Sequence, residues 1–434
     1  MKIVIKRVRI TPLDILAVWV MYFFSYCTID FFKNSTVNLL GYASFAIFFI
    51  ICTIVNKSYL IRFIKVGKGI ILFWVIIFFA SFFNTTMPGL NEYARNIIYM
   101  IIYLSLYIYF SEENKKSIRC IVLIIWFIDS AIININTIKS LIENPLLSRL
   151  MSTGNVYDYV SESISVVGVA TFGAIYGLVL VADSLFYLIL LKNLKIGWMS
   201  KILMLAYAIL SIFTIIQAQF TISLLLLLVG ISLVIWMLPS SKKKKEIKYL
   251  VIIFGVLLIL LFIDPIISTI INSGMFSETI NIRLEEVKNF LTLSSGAVTD
   301  LGARFKLYSQ SLSTFFDSFG LGIILVGKGE VGGHSEILDG FANFGILLFP
   351  LIICFFVVFY KEVNNKIEVS LKNGWKTICI LFIFEALLNT AFWARQIETI
   401  ILIIPLLFLS YSKVKIKREI DKEGENRRYE SMCN

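Results

Sequence analysis

A single histidine, seven prolines and few charges are what this chain of 434 residues has least of; Asp, Glu, Lys and Arg together make up 16%. A soluble chain would carry roughly 25% charged residues. So little polar content cannot cover a water-facing surface around a sequence that is 58% hydrophobic, with a mean hydropathy of +0.85. A water-soluble protein is excluded, and an integral membrane protein remains. The six cysteines show no paired spacing. Cys27, Cys52, Cys120, Cys354 and Cys379 lie within or beside apolar runs and Cys433 sits in the terminal tail, so neither a disulfide framework nor a cysteine zinc site is indicated. One histidine is poor material for a metal site. No Asp-x-Asp, Walker A or GxGxxG pattern stands in a suitable context. Neither a metal nor a cofactor is therefore expected, and no internal repeat suggests two matching transporter halves.

What the chain has in abundance is apolar runs. A spanning helix needs about 20 mostly apolar residues. Reading runs between polar breaks gives twelve, near 13–32, 39–55, 69–83, 96–110, 120–138, 164–191, 202–217, 221–238, 249–263, 337–360, 376–392 and 398–411. The first is aromatic-rich and lacks a small-residue cleavage site, so it reads as a retained span and not a signal peptide. The charges test this count independently. With the N-terminus inside, the inner segments carry 30 of the 40 Lys and Arg and the outer ones 10. That asymmetry is the positive-inside pattern, and a wrong count would scramble it. The expectation is an all-α polytopic bundle forming one membrane domain over 1–434, with both termini cytoplasmic and a basic cytoplasmic tail at 412–434. The formal charge of +11 then belongs to membrane insertion and contact with membrane lipids, and nucleic acid drops out as a partner. The run Lys242 to Lys245 reads as a stop signal and an anionic-lipid contact.

Two outer loops are long, 139–163 and about 264–336. In the second, Leu301, Phe305, Tyr308, Leu312, Phe315 and Phe319 recur at helical spacing, with Arg304, Lys306 and Gln310 off the stripe. This predicts an amphipathic helix on the outer leaflet. Ile280, Leu284, Val287 and Leu291 predict a second one. Six glycines between Gly320 and Gly333 then lead to His334.

His334, the only histidine, falls outside just before the tenth run. On position alone it is equally well an idle interfacial residue or a general base with a pKa near neutrality. Arg95, Arg149, Arg283, Arg304 and Arg395 form the second group. Any one of them reads most simply as a rim charge. Yet half of the outer cations are Arg, and planar guanidinium forks suit phosphate or pyrophosphate. Asp129, Asp183 and Glu385 fall inside the runs, where carboxylates are costly. With no Lys or Arg inside the runs to pair with, they read as structural polar packing and not as a relay.

The segment His334-Ser-Glu-Ile-Leu338-Asp339-Gly-Phe-Ala-Asn-Phe-Gly345-Ile-Leu-Leu348 resembles part of the Wzy-type polysaccharide polymerases and O-antigen ligases. There a His precedes a span, with Leu four and Gly eleven residues later. Upstream, Arg304-Phe-Lys-Leu-Tyr308 through Phe319-Gly-Leu-Gly322 is similar to that family's Arg-led surface helix ending in a Gly-x-Gly turn. Arg149-Leu-Met-Ser-Thr-Gly154 resembles the arginine of its earlier outer loop. Three features depart from the pattern. Ser335 replaces the common Asn, Leu348 replaces a second glycine, and Gln217-Ala-Gln219-Phe220 stands where an outer Ser-Arg is often found.

The resemblance implies a GT-C-like membrane bundle in a bacterial cytoplasmic membrane. It also implies metal-independent, inverting glycosyl transfer from an undecaprenyl pyrophosphate-linked oligosaccharide to a sugar hydroxyl. On this view His334 is the catalytic base, while Arg304, Arg149 and Arg283 hold the pyrophosphate. Flippase and chain-length regulator proteins would be partners. A polymerase and a lipid A core ligase share these parts. Richness in Lys, Ile, Asn and Phe suggests an AT-rich genome and so, by association, a capsule or exopolysaccharide polymerase. A flippase or transporter of lipid-linked units is the remaining alternative.

Overall fold

The computed structural model describes residues 10–25, 35–83, 90–144, 168–191, 196–239 and 300–412, with single residues 147, 194, 268, 269, 271, 272, 281 and 285. The predicted span at 249–263, the amphipathic segment at 280–291, the lysine run at 242–245, most of the tail, Arg149 and Arg283 lie outside the described residues.

All regular structure among the described residues is helical. Helices α1 (Pro12–Ser25), α2 (Ser35–Val55), α3 (Lys57–Phe83), α4 (Leu90–Phe110) and α5 (Lys116–Glu143) form the first half. They are followed by α6 (Phe172–Leu190), α7 (Trp198–Ala218) and α8 (Thr221–Met237). Then come α9 (Asp300–Asp317), the short α10 (Ile323–Val326), α11 (Glu336–Lys366) and α12 (Val369–Leu388). The last stretch is α13 (Ala394–Glu398), a π-helical turn (Thr399–Ile403) and α14 (Ile404–Tyr411). By length and composition six segments are apolar enough to cross a membrane: Lys57–Ala80, Glu113–Glu143, Phe172–Leu190, Trp198–Ala218, Glu336–Lys366 and Ala394–Tyr411. Eleven of the twelve apolar runs read from the sequence fall on described helices.

Two segments occupy the centre. The apolar windows of Phe172–Leu190 and Ala394–Tyr411 are each 78% buried, against 33% for Trp198–Ala218. α6 packs on α7, α8 and α12, while the last segment packs on α4, α5 and α6. A helix hydrophobic all round is a buried one, which fits Phe172–Leu190 and the part of the last segment after Thr399. The peripheral helices instead turn apolar residues outward, such as Ile54 on α2, Ile61 on α3, Ile128 on α5 and Leu203 on α7. That is the surface a lipid solvent calls for. Pro405 opens α14 and has no N–H to give to the turn before it, which accounts for the widened π turn at that point.

α11 is broken. Gly345 has φ 66° and ψ −175°, outside the helical region, and the N–H of Ile346 leaves the helix to reach the carbonyl of Gly320 at 2.9 Å. The Gly320-Leu321-Gly322 turn enters that break. A side-chain carbon on Gly345 would collide with the Leu321 carbonyl, and one on Gly322 with the backbone of Gly345. The two motif glycines are thus required by each other, backbone against backbone.

Gly345→Ala should therefore lower stability by about 2 kcal/mol or more, since both backbone strain and a collision are imposed. Gly333→Ala also has positive φ but open space around it, and should cost only about 1 kcal/mol. Apparent melting temperatures in detergent should fall in the order Gly345→Ala below Gly333→Ala below the parent. Equal melting of the two variants would contradict this account.

Candidate functional site

The site is built where α9, the loop after α10 and the start of α11 converge. Ser335 caps α11: its backbone is extended and its hydroxyl accepts from the N–H of Leu338 at 3.2 Å. Serine is as good a cap as asparagine, so the departure from the family pattern at this position preserves the helix start. Asp339, one turn on, accepts from the N–H of Ser335 at 3.0 Å and from the hydroxyl of Ser311 on α9. Ser311 in turn accepts from the N–H of Gly332 at 2.9 Å. Asp339 and Ser311 are buried, 2% and 0% exposed, so this polar chain is fixed and not solvent-averaged.

The loop runs antiparallel to α9. Thr314 donates to the Glu330 carbonyl at 2.6 Å and Gln310 to the Glu330 carboxylate at 3.2 Å, then Ser311 meets Gly332. Gly332 lies against the Leu307 carbonyl so closely that a side chain would collide with it. Each step toward His334 moves one step toward the N-terminal turns of α9. His334, half-buried, comes two residues after Gly332 and directly before the Ser335 cap. Arg304 is half-buried, bonds the Tyr308 side chain, and has an Nη1 without a hydrogen-bond partner among the described residues. The Tyr308 hydroxyl donates to the Leu388 carbonyl at the end of α12, 2.7 Å away. Burial pushes the Tyr308 phenol above its usual range, against the pull of the Arg304 guanidinium.

Glu336 completes the frame. Its N–H donates to the Asn389 carbonyl at 3.0 Å, and its Oε2 accepts from the N–H groups of Ala391 and Phe392 at 3.2 and 3.3 Å. The first turn of α11 is thus tied to α9 on one side and to the turn after α12 on the other. Asp339, Ser311, Glu336 and Tyr308 all belong to this frame, and the reading of the sequence assigned none of them a role. The only signal was local: Ser335 followed by Asp339 at helical spacing just after His334.

The face of α9 that meets the protein is only partly the apolar stripe: Tyr308 and Phe315 are half-buried against α12 and α11. Ser311, Thr314 and Ser318 are buried, while Phe305, Leu312, Phe316 and Phe319 are exposed. The periodicity correctly marks an amphipathic helix, and its apolar side faces outward as a lipid-lying helix requires. The inward side is held by hydroxyls together with the contact of Phe315 on Phe341.

Arg395 is placed elsewhere, and the expectation about the carboxylates changes with it. Its guanidinium bonds Glu398 at 2.9 Å and Asp129 at 3.3 Å, with 12% of the side chain exposed. Glu398 also accepts from Ser25 of α1. Asp129 thus has an arginine partner that the sequence reading withheld from it, because 266 residues separate the two. Glu385 accepts from Gln396 on the same short helix. Asp183 is fully buried on α6, and neither carboxyl oxygen has a hydrogen-bond partner among the described residues. With two carboxylates on it, Arg395 is committed to the bundle. A cavity of about 20 Å³ beside it has a mostly apolar lining that includes the polar groups of Ser130, Asn134 and Thr399, and it is large enough for one water. Arg95 is exposed on α4.

Of the four predicted site residues, Arg304 lies on α9 and His334 at the end of the loop packed along it, while Arg149 and Arg283 fall outside the described residues. Compared with protein-family models and with curated proteins, the chain matches none.

Removing Arg395 leaves two buried carboxylates without their cation, and breaking such a pair costs about 3–5 kcal/mol. Arg395→Gln should abolish the folded peak in size-exclusion chromatography, and adding Asp129→Asn should restore part of it. A folded single variant of parental melting temperature would refute the pairing. Ser311→Ala, by contrast, should leave the bundle folded while amide exchange over 330–334 speeds up.

Proposed function

We propose that the protein is a polysaccharide polymerase of the cytoplasmic membrane. In this reading about twelve spans form a GT-C-like bundle with both termini cytoplasmic, and residues 264–336 lie on the outer face. The substrate is an undecaprenyl pyrophosphate-linked oligosaccharide, and the acceptor is a sugar hydroxyl on another lipid-linked unit. The observation that supports the reading is the antiparallel run of the loop along α9, which leads past Thr314, Ser311 and Leu307 to His334 on the helix that bears Arg304, whose Nη1 has no hydrogen-bond partner among the described residues. The resemblance of 304–348 to the polymerase and ligase segment supplies the substrate class.

The chemistry follows from the residue types. His334 takes the proton of the acceptor hydroxyl, whose oxygen attacks the anomeric carbon of the donor. The bond from that carbon to phosphate oxygen breaks with its electron pair, and undecaprenyl pyrophosphate leaves. Arg304, with Arg149 and Arg283, stabilises the charge that develops on the leaving group. Preorganised donors of this kind are worth several kcal/mol each at a developing oxyanion. No metal is needed where guanidinium groups do this work. Flippase and chain-length regulator proteins are the partners that such a reaction calls for.

Deletion of the protein should leave single lipid-linked units exposed on the outer face. Long chains retained on the carrier would indicate a ligase instead, and single units trapped inside a flippase. His334→Ala should reduce polymer synthesis in membranes by about 100-fold or more, as loss of a general base does, without lowering the melting temperature. Arg304→Lys keeps the charge but loses the fork, and should reduce synthesis by about tenfold. Full synthesis by His334→Ala would remove the assignment.

A further inference from the structure

The other end of α11 carries a second cluster, some 45 Å of helix away from His334. Arg62 on α3 donates to the Ser111 hydroxyl at 3.0 Å and to Glu362 at 3.2 Å. Lys366 donates to the same hydroxyl at 2.8 Å and to the same carboxylate oxygen at 3.2 Å. Two cations from different helices therefore share one hydroxyl and one carboxylate oxygen. Arg119 on α5 is a third cation acting on the same Tyr107 ring that Lys366 overlies at 5.7 Å. It is only 5% exposed, donates to the Glu112 carbonyl at 3.1 Å, and its Nε has no partner. The Tyr107 hydroxyl, fully buried, has none either. Glu113 is the other carboxylate acting on Arg119. One positive charge remains over even when both carboxylates are counted.

Positive-inside lysines are ordinarily solvated, and Lys57, Lys65 and Lys68 at this end are exposed. The cluster differs from them in being drawn inward on three helices with most of its N–H groups lacking an acceptor among the described residues. Two guanidinium forks and an ammonium are donors only. What they lack is a ligand made of acceptors, with negative charge and several oxygens. Beside Arg62, Ile61 and Ile64 are 66% and 50% exposed, so an apolar surface adjoins the charges at the end of a membrane-length helix.

We propose that Arg62, Arg119 and Lys366 form a phosphate-oxyanion site at the end of the bundle opposite His334, suited to the headgroup of an anionic lipid or to soluble phosphate. The site does not depend on the reaction assigned to His334. It is tested on the purified full chain by native mass spectrometry in mixed phosphatidylcholine–phosphatidylglycerol micelles, with inorganic phosphate as competitor. Retention of phosphatidylglycerol over phosphatidylcholine is expected. It should fall about tenfold in Arg62→Gln/Lys366→Gln, where two charge-assisted contacts are lost. The control Lys57→Gln/Lys65→Gln removes the same charge from exposed positions and should retain the lipid. Displacement by millimolar phosphate assigns the site to the soluble anion, and resistance to it assigns the site to the headgroup. Should the double variant not fold, Lys366→Gln alone is measured, with a smaller loss expected. No preference for the anionic lipid together with no phosphate binding, or an equal loss in cluster and control variants, would overturn the proposal.

Discussion

An arginine inside a bundle of apolar helices has to bring its counter-charges with it, because neither lipid nor packed side chains can solvate it. Arg395 meets that requirement with Asp129 and Glu398, and in doing so fixes the middle of the molecule. The five residues of α13 reach three other helices through polar side chains: α5 by Arg395, α1 by the Glu398–Ser25 bond, and α12 by the Gln396–Glu385 bond. With the segment that follows, α13 forms one of the two most enclosed candidate spans among the described residues, packed on α4, α5 and α6. Hydrophobic contact alone distinguishes poorly between one apolar helix and another in a membrane. Directional bonds at one turn decide which helices stand next to which.

The N-terminal end of α11 is organised by a different means. There the backbone itself is the packing surface: the glycine turn after α9 enters the break at Gly345, and the loop beyond lies on the Leu307 carbonyl. Broken helices of this kind expose peptide groups at membrane depth, and they are tolerated only where other protein groups satisfy them. Ile346 and Gly320 do so for each other. The result is a rigid seat for the residues that precede α11, built from close backbone approach and a short chain of buried hydroxyls and carboxylate.

Much of this was readable from the residues. The apolar runs locate the helices, and the lone histidine, the Arg-led helix and the glycine turn mark the region where the candidate site is built. What escaped were contacts made across long separations. Asp129 and Arg395 each look solitary in sequence, and nothing local joins them. Ser311 and Asp339 were missed for another reason. A serine on an apparently apolar helix and an aspartate in the first turn of the next one are both unremarkable until the loop between them folds back. The stripe on α9 was recognised, yet periodicity alone cannot tell a face turned to lipid from a face turned to protein.

That inversion on α9 has a bearing on how the helix tolerates change. Its covered positions, Ser311, Thr314 and Ser318, have room only for small groups and depend on a hydroxyl, while its uncovered ones, Phe305, Leu312, Phe316 and Phe319, need only be greasy. At these positions the usual correspondence between burial and hydrophobicity is reversed. A leucine placed inside would harm the fold more than a leucine placed outside, so the grip of α9 on α11 rests on small polar side chains that hydropathy alone would pass over.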